Sequence, residues 1–207
     1  MAGRFISLEG GEGVGKSTQA RRLAEALRQR GHEVVETREP GGSPGAEAIR
    51  ELLLSGAGNR WGPEAEALLF AAARADHVAR TIRPALERGD WVVCDRFVDS
   101  SLAYQGGADR LGVEAIRTLH GIGSGGLLPD LTFILDLETV TAASRELVRD
   151  HGKLDRFGRR GGEYHDRVAK AFRRLAKQEP DRVHLVDAGG SPEAVTARLL
   201  AALAALP

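Results

Sequence analysis

Residues 10–17, Gly10-Gly11-Glu12-Gly13-Val14-Gly15-Lys16-Ser17, follow the pattern G-x-x-x-x-G-K-[ST]. Glycines let the backbone wrap, so successive N–H groups can point inward at an anion. A lysine there reaches the outer phosphates of a bound nucleoside triphosphate, and a hydroxyl beside it suits Mg2+. Lys16 and Ser17 supply both groups, and Thr18 continues the run. The simpler alternative is a glycine-rich turn with a surface lysine. It does not account for Gly10, Gly11, Gly13 and Gly15 standing just before Lys-Ser. A second chemical signal is Val92-Val93-Cys94-Asp95-Arg96, which ends an apolar run in a carboxylate. Ligands of open α/β sheets bind at the carboxyl ends of strands. Asp95 is therefore placed to hold Mg2+ or its water shell, and Arg96 to face a phosphate. Asp136, after Thr132-Phe133-Ile134-Leu135, competes for the metal role; for either Asp the ordinary alternative is capping or an ion pair.

These groups need a strand before the glycines and a helix after them. Arg4 to Leu8 is a short, mostly apolar run, and Leu23, Ala24, Ala26 and Leu27 recur at helical spacing between Ser17 and Arg30. A helix starting at the glycines adds its dipole to the anion hole. Strands are expected at 4–9, 33–37, 91–95, 131–137 and 182–187. Helical patterns fill 16–30, 44–55, 63–88, a run from about 97, 112–122, 139–150, 162–178 and 192–205. Gly31 is expected to close the first helix, and Ser191-Pro192 to open the last. Alternation of short apolar strands with helices predicts an α/β fold with a parallel sheet covered on both faces.

Composition narrows the possibilities. The chain has 207 residues, 42% hydrophobic and 28% charged, enough for one substantial core. The formal net charge is +0, which argues against a nucleic-acid polymer or an anionic membrane as partner. No apolar run approaches the ~20 residues of a membrane span. The lone Cys94 excludes an internal disulfide and reads as a buried small hydrophobe. A cytoplasmic protein is expected, as one domain over residues 1–207. The Gly/Arg-rich stretch 151–162 breaks the helical pattern and predicts a mobile loop or lid.

Longer segments then resemble a known family. Residues 5–18, Thr37-Arg38-Glu39-Pro40-Gly41-Gly42, Leu69-Phe70-Ala71-Ala72-Ala73-Arg74, Asp95-Arg96-Phe97 and Ser100-Ser101-Leu102-Ala103-Tyr104-Gln105-Gly106-Gly107 are similar, in order, to bacterial thymidylate kinases. Pro129-Asp130-Leu131-Thr132 and Leu154-Asp155-Arg156 continue the series. The resemblance implies a three-layer P-loop kinase fold with a five-stranded parallel sheet, and a lid at about 145–165. It implies transfer of the ATP γ-phosphoryl group to dTMP with Mg2+, and a homodimer.

The same resemblance assigns roles. Gly10 to Thr18 hold ATP, with Arg145 against the adenine and Ala188 in an adenine-side loop. Phe70 and Arg74, four residues apart on one helix, stack on and read the thymine, although an aromatic in an apolar helix is ordinarily core. Ser100, Ser101, Tyr104 and Gln105 line the nucleoside pocket, and Pro40 packs near the methyl group. Arg38 and Arg96 take the dTMP phosphate, and Glu12 organises the acceptor. Two anions must meet in line, so the migrating group also needs a cation. The phosphate loop holds no arginine, so the chain resembles the branch of the family whose lid supplies one, with Arg149 or Arg156 as the candidates.

Two other readings are open to test. Another P-loop small-molecule kinase would keep the loop but not the Phe70/Arg74 and Ser101-Tyr104-Gln105 set. A GTP-binding switch would carry Asn-Lys-x-Asp, whereas the nearest string, Gly152-Lys153-Leu154-Asp155, lacks the asparagine.

Overall fold

The first strand is buried on both faces because its residues alternate between two apolar layers. Phe5 packs with Val92, Cys94 and Ile134 on one side; Ile6 and Leu8 pack with Val93, Phe133 and Leu135 on the other. A computed structural model describes residues 3–56, 60–138, 142 and 156–204. Its elements run β1 (Phe5–Glu9), α1 (Lys16–Gln29), β2 (Val34–Arg38), α2 (Pro44–Leu54) and α3 (Pro63–His77), then a π turn (Val78–Ile82) and α4 (Arg83–Glu87). There follow β3 (Trp91–Asp95), α5 (Val98–Ser101), a second π turn (Leu102–Ala108), α6 (Val113–Ser124), β4 (Leu131–Asp136), α7 (Gly162–Gln178), β5 (Val183–Asp187) and α8 (Pro192–Ala204).

The five strands form one parallel sheet in the order β2-β3-β1-β4-β5. Helices α1 and α8 cover one face through Leu23, Leu27, Val195 and Leu199. The other face lies under Ala67, Ile116, Val168, Phe172 and Leu175. This is the expected three-layer α/β architecture, and each of its strands lies within about one residue of the expected position. β1 lies between β3 and β4, so the loop after it opens at the carboxyl edge of the sheet, where the chain diverges to both sides.

The long helical pattern of 63–88 is one continuous run with a π turn inside it, and the run from 97 is a single α turn followed by a longer π turn. Gly31 has φ +88 and its neighbour His32 donates back to the Leu27 carbonyl, which closes α1. Ser191 accepts from the Ala194 amide at 3.3 Å and caps α8. Cys94 is fully buried in the apolar layer. Most of the expected 139–150 helix, and the lid up to residue 155, lie outside the described residues. Residues 156–161 turn back onto the body of the protein before α7 begins.

Under β1 and β4 runs a buried polar chain. The Ser7 and Thr132 hydroxyls are 2.9 Å apart, Thr132 donates to Asp99 at 2.9 Å, and Arg182 grips Asp99 at 2.7 and 2.8 Å. The chain fixes α5 against the sheet, and with it the residues just before α5.

The apolar layers generate a direct test. Leu23 is wholly buried between α1 and the sheet. Leu23→Ala should lower unfolding free energy by about 2–5 kcal/mol, read as a lower urea midpoint at unchanged slope.

Candidate nucleotide-binding site

The phosphate loop needs glycine because its path leaves no alternative. Gly10 has φ +133, and a Cβ there would stand 2.6 Å from the Leu135 carbonyl oxygen. The loop hands over to α1 at Gly15, φ +96, so the first amides of the helix face the loop's concavity. Lys16, only 6% exposed, folds back and donates to the Gly11 carbonyl at 2.5 Å. Burial, then repulsion from Arg96, push its ammonium down to about 8, against the pull of Glu12, Asp95 and Glu9.

Ser17 and Asp95 meet across the sheet's edge, the hydroxyl donating to Oδ2 at 2.5 Å. Asp95 Oδ1 is buried without a hydrogen-bond partner. A hydroxyl and an unsatisfied carboxylate oxygen beside a phosphate cradle form a donor set of the kind Mg2+ uses. That ion takes one or two protein ligands and completes its shell with phosphate and water. Among the described residues no group of three or more His, Cys, Asp or Glu is arranged to hold a metal ion by itself. Asp136, the competitor, instead pairs with Arg173 at 2.9 and 3.0 Å.

Arg96 sits in the left-handed region, φ +69, an unusual conformation for a non-glycine residue. Its guanidinium donates to the Gly10 carbonyl at 3.0 Å, Ser100 Oγ at 3.0 Å, Glu12 at 2.6 Å and the Tyr104 hydroxyl at 3.3 Å. Burial alone would raise Glu12, but Arg96, Lys16 and the bond from Tyr104 outweigh it and bring it to about 2. Glu12 is therefore an anion throughout the physiological range. Glu9 lies beneath, accepting from the Phe97 amide at 2.7 Å and from Ser100 Oγ at 2.5 Å. Burial, then Asp99, push its carboxyl well above the usual range.

Arg74 is 3% exposed and aimed by its partners: Nε donates to Glu39 at 2.8 Å and Nη2 to Ser101 Oγ at 2.9 Å. Glu39 is shared with His77 at 3.0 Å, and His77 reaches Thr37 at 2.7 Å. Gly42 lies against this group, since a Cβ there would meet His77 Nε2 at 2.4 Å and Thr37 Oγ1 at 2.5 Å. Arg38 is more open and pairs with Glu47 at 3.0 Å.

One cavity of about 670 Å³ collects these groups. Its wall brings together Glu12 to Thr18, Arg38, Pro40, Phe70, Arg74, Asp95, Arg96, Ser100, Ser101, Tyr104, Gln105 and Ala188, residues drawn from distant parts of the chain. Gly10 and Gly11 shape the loop behind that wall. Arg145 and Arg149 lie outside the described residues. Arg156 is placed differently from the sequence expectation. It is buried, its Nη2 is on Glu66 and its Nε on the Leu53 carbonyl, so its charge is already committed to a buried carboxylate. Its placement does not support a contact with a migrating phosphoryl group.

The wall also includes residues the sequence reading passed over: Glu39, Arg50, Leu54, Phe157, Gly190, Pro192 and Val195. Glu39 stands inside the quoted Thr37–Gly42 segment, where an acid beside a proline gives no sign that it will orient Arg74. Arg50 appears as one more surface charge of an amphipathic helix, yet it donates to the Pro40 carbonyl at 2.6 Å.

A parallel sheet with a glycine-lined anion cradle at its carboxyl edge, a buried lysine, and an arginine-rich pocket across from it define a P-loop nucleoside monophosphate kinase. The sequence profile of the family described as thymidylate kinase matches residues 8–199. A thymidylate kinase of Rhizorhabdus wittichii is 68% identical over 206 residues, covering 100% of this chain and 99% of the relative. One of Caulobacter vibrioides is 51% identical, covering 95% and 94%. The crystal structure of thymidylate kinase from Ehrlichia chaffeensis superposes with a TM-score of 0.79 at 31% identity, covering 98% of this chain and 99% of that one. The chain belongs to the thymidylate kinase family.

The lowered Lys16 carries a pH prediction. Phosphate anions favour its protonated form, so triphosphate binding takes up protons near pH 8 and weakens as pH rises through that value. Calorimetric Kd values for ATP from about pH 6.5 to about 9.5 should rise on the alkaline side; a flat profile would contradict the placement of Lys16.

Proposed function

We propose that the cavity transfers the γ-phosphoryl group of ATP to dTMP, giving dTDP and ADP, with donor and acceptor bound on opposite sides of Lys16. The observation that carries this reading is the Glu12–Arg96–Tyr104 cluster at the junction of the phosphate loop and the arginine-lined pocket. The loop amides and Lys16 cradle the triphosphate, whose base lies toward Ala188, Gly190 and the start of α8. Ser17 and Asp95 would hold Mg2+, which supplies charge neutralisation at the phosphates when bound.

On the acceptor side Arg96 and Arg38 take the dTMP phosphate. Glu12, kept anionic, orients Arg96 and the sugar end of the acceptor. Phe70 offers its ring to the pyrimidine, and Arg74, braced by Glu39, offers the base a donor through its own or the Ser101 edge. Tyr104 and Gln105 close the sugar side. Positioning two anions in line, with cations fixed beforehand, is the main work of phosphoryl transfer. Arg149 is the sequence candidate that remains for the cation on the migrating group.

A cytoplasmic location is proposed from the family resemblance. No helix among the described residues is long and apolar enough to cross a membrane. A homodimer is proposed from the family resemblance. Leu68 on α3, 57% exposed, and Ile122 on α6, 81% exposed, are large apolar residues open to solvent on two helices that pack together.

Two measurements check these statements. In a coupled ADP-release assay with ATP and Mg2+, dTMP should be the preferred acceptor among dTMP, dUMP, dCMP and UMP. dUMP should remain a real substrate at about 10- to 200-fold lower kcat/KM, because only a methyl contact is lost. Equal kcat/KM for dUMP and dTMP would remove the methyl pocket at Pro40. Light scattering after size exclusion at micromolar concentration should give twice the chain mass, and a monomer alone would overturn the dimer.

A further inference from the structure

Glu66, in the first turn of α3, is 1% exposed and accepts from three side chains. Its Oε1 accepts from Gln105 Nε2 at 2.9 Å, a side chain that lines the cavity. Its Oε2 accepts from Arg160 Nη2 at 2.8 Å and from Arg156 Nη2. Both arginines belong to the turn that precedes α7. Arg160 is tied further to Asp109 at 3.0 Å and to the Tyr164 hydroxyl. A single acid thus joins α3, the second π turn and the turn before α7.

Phe157 stands in the middle of this arrangement. The Arg156 and Arg160 guanidinium carbons lie 5.1 and 4.7 Å from its ring centroid, within cation–π range. Its ring meets Phe70 at 5.7 Å and Tyr104 at 6.2 Å, both in edge-on geometry, and it forms part of the cavity wall. Two cations cannot crowd one ring in a buried place without an anion to offset them. Glu66 supplies it to both, Asp109 adds a second carboxylate for Arg160, and the other oxygen of Glu66 holds Gln105 on the same wall.

We propose that Phe157 is a specificity-determining wall of the acceptor-base pocket, and that Glu66 is the positioning residue that sets Phe157 and Gln105 in register beside Phe70. This rests on the assignment of the Phe70 side of the cavity to the thymine base. The carboxylate holds the two guanidiniums, the guanidiniums hold the ring, and the ring limits how far the pyrimidine can shift from Phe70. The turn before α7 thereby contributes directly to acceptor binding.

The test is steady-state kinetics of the full chain with ATP and dTMP on Phe157→Ala, Phe157→Leu, Arg160→Gln and Arg160→Lys, with Phe70→Ala as the control. Phe157→Ala should raise KM for dTMP about five- to tenfold while KM for ATP stays within about twofold, and Phe157→Leu should fall between it and the parent. Arg160→Gln leaves the Glu66–Arg156 pair intact, and its fold is checked by an unchanged urea midpoint. It should raise KM for dTMP in the same direction by a smaller factor, with partial recovery in Arg160→Lys. A rise for Phe70→Ala with no change for Phe157→Ala overturns the inference alone. No change for Phe70→Ala overturns the pocket assignment and the inference with it. An equal rise of both KM values in Phe157→Ala marks a merely structural role and also overturns the proposal. An unchanged KM for dTMP in Arg160→Gln overturns the positioning role of Glu66.

Discussion

The site depends on one ion pair, Glu12 with Arg96 at 2.6 Å, which joins the phosphate loop to the turn after β3. Arg96 is held with φ +69, a conformation that costs about 1–2 kcal/mol for a residue with a side chain. The cost is offset locally. Glu9 accepts from the Phe97 amide and the Ser100 hydroxyl, which lock the turn from below, while Gly10 and Glu12 receive the guanidinium from above. The adjoining strands β1 and β3 are direct neighbours in the sheet, so the two halves of this contact arrive in register. On the proposed reading, the arrangement fixes a cation between the triphosphate cradle and the acceptor pocket.

Similar pairs recur around the cavity. Glu39 braces Arg74, Glu66 braces Arg156 and Arg160, and Asp99 braces Arg182. Buried pairs of this kind return little net stability, because desolvating both charges offsets most of their attraction. What they provide is orientation. An arginine with several rotatable bonds, tied at one edge to a carboxylate, presents its other edge in one direction only. Stability comes instead from the two apolar layers on the faces of the sheet. The molecule thus separates the groups that hold it together from the groups that orient the side chains of its cavity.

Much of this was legible in the residues themselves. The phosphate loop is a local device: Gly10, Gly15, Lys16 and Ser17 are neighbours in sequence, and their backbone demands show directly as residue types. Strands were visible because helices on both faces force them to be apolar throughout, and Asp95 was visible because a carboxylate ending such a strand stands out. The π turns were not, because Leu102 to Ala108 lacks the periodic pattern that would reveal one extra residue per turn, although that turn is what carries Tyr104 and Gln105 to the cavity. The partner of Arg156 was hidden for a related reason. A basic segment announces its charge but not which acid it will meet, and Glu66 lies 90 residues away.

By itself, then, the sequence determined the α/β class, the anion cradle, the family, and the identity of most side chains on the cavity wall. Each of these follows from patterns that are short-range or that repeat with the period of a helix or strand. Tertiary structure alone decided which acid partners which arginine, that Glu39 meets Arg74 and Glu66 meets Gln105, and that Phe157 lies against Phe70. Those pairings join elements far apart in the chain, and their geometry depends on how the sheet order and helix packing bring them to one edge. Charge and ring chemistry are properties of residues, but the distances that give them a function belong to the folded molecule.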